Sequence, residues 1–155
     1  MPHLRLDFGS WRAYGAITRS RQMVGVNSKL ADGQHVLMWD FDGIPWYMQV
    51  KRALQGVAMR HQTANIYVWR SSTYGYHAYC FQRHGWPKTL EILAATPHLD
   101  PVYFKIGVIR EYFTLRIEDK KRGKLTPVDV IAGFRPEDVL PAEQRSFIRY
   151  WTKRL

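Results

Sequence analysis

Val36-Leu37-Met38-Trp39-Asp40-Phe41-Asp42-Gly43 joins a short apolar run to two aspartates that stand one residue apart. The run opens after Gly33 and reads as a strand, Val36 to Phe41. Side chains alternate along a strand, so Asp40 and Asp42 point to the same face. Aspartate is a poor strand former, and two of them on one strand face call for a reason. Carboxylates held that close repel unless a cation lies between them. Mg2+ or Mn2+ suits the pair, because hard cations take oxygen ligands and leave part of their shell for phosphates. Gly43 lets the backbone turn away and a ligand come close. The plain alternative is a strand end running into a loop, with both acids merely solvated.

Working outward, Tyr47, Val50, Leu54, Val57 and Ala58 recur at helical spacing, which predicts an amphipathic helix over Trp46 to Arg60. Ala64 to Arg70 and Tyr76 to Phe81 are rich in strand formers, and Ser71 to Gly75 between them is turn material, so a hairpin is expected. Pro87 suits the first residue of a helix, with Leu90, Leu93 and Ala94 as its apolar stripe and Pro97 as its stop. Asp100-Pro101 reads as a loop, Tyr112 to Ile117 as a strong strand, Lys120 to Lys124 as a basic turn and Val128 to Ala132 as a last strand. A basic helix is expected from Pro141, and Leu4 to Phe8 alternates like a strand.

Strand, helix, strand, strand, helix, strand is the order of an α+β chain with a ferredoxin-like or RNA-recognition-motif-like βαββαβ core. The expectation is a single domain over residues 1–155, its motif-bearing core at about 34–122, with N-terminal and C-terminal extensions. Such an architecture serves many functions, so function rests on the site.

The bulk composition narrows the partner. The chain has 155 residues, 46% of them hydrophobic and 14% aromatic, with a formal net charge of +10. That is enough apolar material for a packed core, with its positive charge spread along the chain. An anionic partner is implied, and nucleic acid is the commonest. The lone cysteine, Cys80, lies in an apolar run and reads as a buried thiol, which leaves no disulfide framework. His35, His61, His77, His84 and His98 fall at no short ligand spacing, so a structural zinc site is not expected. No apolar stretch approaches membrane-spanning length and no apolar signal core stands at the N-terminus; an intracellular protein without a membrane partner is expected.

Three further segments carry candidate residues. Ser71-Ser72-Thr73-Tyr74-Gly75-Tyr76-His77 offers hydroxyls, backbone amides and an imidazole to phosphate oxygens, although a Ser-Thr-Gly turn is also ordinary hairpin chemistry. Asp100 sits in an Asp-Pro loop that would otherwise be a simple turn. Arg116 shares a strand face with Thr114 and Glu118 and suits a bidentate phosphate clamp; Lys120, Lys121 and Arg122 suit a nucleic-acid backbone or a solvated hairpin tip.

Taken together, these segments resemble the archaeo-eukaryotic primase superfamily. Its first motif is a strand ending in two acids one residue apart, as Asp40 and Asp42 are. Its second is a Ser-Gly-x-Gly-x-His signature, matched here by Ser72, Gly75 and His77, with Thr73 in place of the first glycine. His98-Leu99-Asp100 loosely resembles its third, acidic motif, for which Glu111, Glu118 and Asp119 compete. Leu115-Arg116-Ile117 with Lys120 is similar to the strand that follows in the primase-polymerase branch. The resemblance implies that Asp40, Asp42 and Asp100 hold one or two divalent ions, and that Ser72, His77, Arg116 and Lys120 grip an incoming nucleoside triphosphate. It implies a DNA primase or primase-polymerase nucleotidyltransferase of DNA replication that works on a single-stranded DNA template, with a helicase or accessory replication subunit as a partner.

Two other readings fit parts of the pattern. Asp40-Phe41-Asp42-Gly43 also resembles the first motif of haloacid dehalogenase-like phosphatases, but no later Gly-Asp-x-x-x-Asp-like segment follows. A non-catalytic basic nucleic-acid-binding replication module would explain the charge and the aromatics without using the acids.

Overall fold

The computed structural model describes residues 3–8, 11–16, 25–116 and 125–139. Eight strands and three helices lie among them: β1 (His3–Phe8), β2 (Trp11–Ala16), β3 (Gly25–Asn27), β4 (His35–Phe41), α1 (Tyr47–His61), β5 (Ile66–Ser72), β6 (Gly75–His84), α2 (Trp86–Ala94), α3 (Pro101–Arg110), β7 (Thr114–Arg116) and β8 (Thr126–Ile131). The chain is therefore α+β. Every strand pair is antiparallel: β1 with β2, β3 with β7, and a four-stranded sheet in the order β4-β6-β5-β8.

The expected strand from Val36 is β4, one residue longer at its start. Its apolar run is explained by burial on both faces: Val36, Leu37, Met38, Trp39 and Phe41 are all fully buried. Trp39 and Phe41 share a face with Tyr76 of β6, and the helices cover that face. Tyr76 packs its ring on Tyr47 of α1, and the Trp39 indole donates to Thr96 Oγ1, just beyond α2, at 3.0 Å. Tyr47 and Lys51 of α1 both bond Asp129 of β8, at 2.9 Å and 2.7 Å, which anchors the helix to the far edge of the sheet. The helix buries Val50, Ala53, Leu54, Val57 and Ala58, the stripe its periodicity predicted, and Gln62 ends it in the left-handed region.

Asp40 and Met38 lie on the other face. The register sets Asp40 opposite His77 and Met38 opposite Tyr79 on β6, and these face Trp69 and Tyr67 on β5. This face is aromatic, with Trp69 edge-on to Tyr79 and Tyr67 beside both Trp69 and Phe81.

One sequence expectation is corrected. Residues read as the continuation of the Asp100-Pro101 loop form α3 instead. Asp100 is its N-cap, accepting from Val102 N at 2.7 Å, and Pro101 occupies the first helical turn, where a missing N–H costs nothing. The expected last strand is β8, which flanks β5, and β7 pairs with β3 rather than with β4. Residues 25–29 explain this. Ser28 N donates to Phe113 O and Val36 N donates to Ser28 O, so the segment takes the bonds that would otherwise join β7 to β4. β7 still packs near β4. The expected basic turn over Lys120 to Lys124 and the helix from Pro141 lie outside the described residues.

Burial leaves its mark on titration. It holds the Cys80 thiol up to about 12, in line with an inert buried thiol. It also pushes His35 and His84 below the ordinary imidazole value of 6.5. Each ring therefore resists protonation in the fold more than in the unfolded chain, which takes up protons as pH falls through about 6.5. The unfolded state binds more protons there, so their stabilisation is complete above about pH 6.5 and is lost as pH falls through the folded values. Thermal unfolding midpoints are expected to decline below about pH 6.5, and the decline should be shallower in His35→Gln. A midpoint that stays level down to about pH 5 contradicts this.

Candidate functional site

The candidate residues gather where β4 runs out beside the β5–β6 hairpin. Ile44 N bonds Tyr74 O at 2.8 Å, which ties the chain after Asp42 to the hairpin tip. Gly43 turns the chain there with φ +72, a conformation that side chains other than glycine rarely take. The Asp42 carboxylate accepts from Gly43 N at 3.1 Å and is exposed.

Gly75 is the closest point of this arrangement. A Cβ there would lie 2.5 Å from Ser72 Oγ, 2.8 Å from Ser71 Oγ and 3.4 Å from Asp42 Oδ1. Two hydroxyls and a carboxylate therefore converge over a residue with no side chain. Gly75→Ala is expected to displace the Ser72 hydroxyl and, for a nucleotide whose phosphate that hydroxyl contacts, to weaken binding about tenfold, the usual effect of losing one hydrogen bond to a charged group. The measurement is nucleotide affinity beside the unfolding midpoint. Unchanged affinity in a folded variant would remove Ser72 from the site.

Asp40 sits deeper, its side chain 26% exposed, with Oδ1 3.4 Å from Nε2 of a His77 side chain that is only 1% exposed. Tyr79 and Tyr103 also neighbour Asp40. Burial first, and the Asp40 charge next, push both phenols far above their ordinary value. Tyr103 donates its hydroxyl to Met38 O at 3.0 Å, fixing α3 against the edge of β4. Arg116 lies close enough to Tyr79 for its charge to favour the phenolate, and its buried Nε has no hydrogen-bond partner among the described residues.

Asp100 is joined to this group through the backbone, its N–H donating to Asp40 O at 2.9 Å. It lines two neighbouring clefts. The larger, about 740 Å³, is bordered by Asp42, Gly43, Ser72, Thr73, Tyr74, His98 and Val102 as well. The smaller, about 280 Å³, also has Asp40, Val102, Tyr103, Ile106, Arg110, Tyr112 and Thr114 on its walls. Val102 and Ile106 belong to an apolar stripe on α3 that Ile109 continues, all three well exposed.

The fold thus brings Asp40, Asp42, Ser72, His77 and Asp100 into one neighbourhood from three separate stretches of sequence. It does not give them equal access. Asp42, Ser72 and Asp100 face the larger cleft and Asp40 with Asp100 the smaller. The His77 side chain, expected to grip phosphate, is only 1% exposed and lies beside Asp40, and neither His77 nor Arg116 lines either cleft. Lys120 lies outside the described residues.

Tyr79, Tyr103 and Arg110 did not stand out in the sequence. Tyr79 follows His77 at strand spacing, a signal that was available. Tyr103 and Arg110 depended on recognising α3. Among the described residues no three His, Cys, Asp or Glu side chains converge as a ready-made metal cage. No described helix is long and apolar enough to cross a membrane.

No protein-family model matches the chain, no curated protein is significantly similar to it in sequence, and no solved structure is significantly similar to it.

Proposed function

We propose that this chain is a metal-dependent, template-directed nucleotidyltransferase of the primase-polymerase kind, joining nucleotides on single-stranded DNA. The observation that carries the reading is the convergence of Asp42, Ser71 and Ser72 over Gly75, with Asp40 two residues further in. The donors are carboxylate and hydroxyl oxygens, the set that Mg2+ or Mn2+ takes. Asp40 and Asp42 would hold the ion, and Asp100 would join them on releasing Val102 N. When bound, the ion supplies Lewis-acid stabilisation of charge on the reacting phosphate.

The residues of the chain do the rest. Ser72 and the backbone amides of the hairpin tip orient phosphate oxygens in the larger cleft. Arg110 offers charge across the smaller cleft, and Arg116 strengthens the positive field behind it. His77 acts as a positioning residue, holding Asp40 on the sheet face. The apolar side chains of Val102 and Ile106 form a rim against which a base can pack. The same reading takes β4-α1-β5-β6-α2-β7 as a ferredoxin-like core, supported by the place of β6 between β4 and β5 and of β7 near β4. α3 is then an insertion and β8 an added edge strand.

A second reading has its own support. Asp40 faces His77 and Asp100 caps α3, so two of the three acids already have structural partners. That favours a non-catalytic nucleic-acid-binding module. The phosphatase reading draws nothing from the antiparallel sheet, since that family needs a Rossmann-like one. Incubation with single-stranded template, labelled nucleotides and Mn2+ decides between the first two. The proposal expects template-dependent product. Salt-dependent binding without product under any metal or template selects the binding module.

A further inference from the structure

Tyr74 and His98 come from different parts of the fold and line one cavity, the larger cleft of about 740 Å³. Tyr74 stands at the tip of the β5–β6 hairpin. Ser72 pairs with Gly75, so Thr73 and Tyr74 form a two-residue turn. Such turns favour Asn-Gly or a leading glycine, and the turn itself gives no reason for a tyrosine. Tyr74 is nevertheless 56% exposed there. His98 lies between α2 and α3, with φ +64, in the left-handed region where glycine sits without strain. It too is exposed.

Both backbones are fixed. Tyr74 O accepts from Ile44 N at 2.8 Å. Just after His98, Leu99 N donates to Thr96 O at 3.5 Å and Asp100 N to Asp40 O at 2.9 Å. The rings themselves are unengaged: among the described residues neither side chain has a hydrogen bond, an ion pair or a ring contact. Two exposed rings, on fixed backbone positions that would suit smaller residues, serve a ligand better than they serve the fold.

We infer that Tyr74 and His98 hold the nucleobase of a bound nucleotide by stacking, in a slot that responds to ring area and not to base identity. The inference rests on the nucleotidyltransferase reading and extends it from the phosphates to the base.

The chemistry of the cleft selects a base. Its described walls carry two carboxylates, Asp42 and Asp100, and no lysine or arginine, so a bare anion is repelled until a cation is bound. Tyr74, Pro101 and Val102 give it an apolar side, and an aromatic ring suits the flat face of a base. The volume lies within the range of about 300–1,000 Å³ that encloses small-molecule ligands. Ser72 opens on the same space, so base and phosphates share one cavity. No Asn, Gln, Lys or Arg side chain stands on the described walls to read a base edge. All four bases are therefore accepted, purines more tightly because their rings are larger, and the choice of base is left to the template strand.

The test follows binding to the full chain by NMR titration with three probes: adenosine, tripolyphosphate with Mg2+, and a nonhydrolysable adenosine triphosphate analogue with Mg2+. Tyr74→Leu keeps an apolar side chain and removes the ring. It should weaken the analogue about tenfold, within the usual worth of one stacking contact, and leave tripolyphosphate unchanged. Tyr74→Phe should restore the affinity. His98→Asn, which tolerates the left-handed region, should weaken the analogue at least about threefold. The corresponding cytidine analogue should bind more weakly than the adenosine one. Both positions are exposed, and unfolding midpoints check that each variant keeps the fold. An analogue affinity untouched in Tyr74→Leu, a loss shared equally by tripolyphosphate, a Tyr74→Phe as weak as Tyr74→Leu, or a wild type that binds neither adenosine nor the analogue would overturn the inference. Failure of the metal reading looks different: tripolyphosphate then fails to bind the wild type with Mg2+, while adenosine still binds and still depends on Tyr74.

Discussion

Asp42→Ala is expected to cut template-dependent nucleotide incorporation by about a thousandfold or more, with the unfolding midpoint almost unchanged. A bound ion contributes several kcal/mol of charge stabilisation, and about 4 kcal/mol is a thousandfold in rate. The stability half of the prediction follows from exposure. Asp42 is exposed at the mouth of the larger cleft and accepts a local bond from Gly43 N, and truncating an exposed carboxylate seldom changes stability by more than about 0.5 kcal/mol. Asp40→Ala should differ, since it strips the carboxylate from a buried His77 and from the neighbourhood of Tyr79 and Tyr103. Loss of rate with a lowered midpoint is the expected pattern there. Steady-state rates and unfolding scans on the two variants separate the outcomes. Full activity in folded Asp42→Ala ends the metal assignment.

Gly133→Ala is expected to be the most destabilising glycine substitution outside the site, by about 3 kcal/mol or more, as overpacking against a rigid neighbour costs at least that when nothing can yield. Gly133 follows β8, and a Cβ there would fall on the Ala64 carbonyl carbon and within 2.5 Å of Ala64 O and Asn65 N. These are backbone atoms, so no rotamer change relieves the clash. The shift would also break the bond from Gly133 N to Asn65 Oδ1, 2.9 Å, and strain the neighbouring bond from Phe134 N to Thr63 O, 2.7 Å. Gly56 is the natural control. It lies within α1 with nothing within 4 Å of its added Cβ. Gly56→Ala should therefore stabilise by about 0.5–1 kcal/mol through helix propensity. Chemical denaturation of both variants checks the pair, and equal effects would contradict the packing argument.

What the sequence revealed follows from how local each signal is. α1 was legible because its apolar residues keep helical spacing over fifteen residues. β4 and the β5–β6 hairpin were legible because a run of strand formers brackets a Ser-Thr-Gly turn. From those alone Asp40, Asp42, Ser72 and His77 could be placed near each other. Their depth could not. The walls of the clefts beside Asp40 are built by α3, and α3 was hidden in an Asp-Pro pair that serves a turn or a helix cap equally well. The weak amphipathicity of α3 has the same origin, because Val102, Ile106 and Ile109 are apolar and exposed while Tyr103 and Phe104 pack inward on Phe113. The sheet order was hidden for a different reason. Nothing local to Thr114–Arg116 says that a segment ninety residues earlier, Gly25–Asn27, will take its hydrogen bonds.

The most direct test of the central claim locates the ion itself. Amide spectra of the isotope-labelled chain are recorded with a nonhydrolysable nucleoside triphosphate while Mn2+ is added, because the ion's unpaired electrons broaden the nearest signals first. The account predicts early loss at Asp42, Gly43, Ser72 and Gly75, abolished by Asp40→Asn with Asp42→Asn. Broadening centred elsewhere, or unchanged in the double variant, would contradict it.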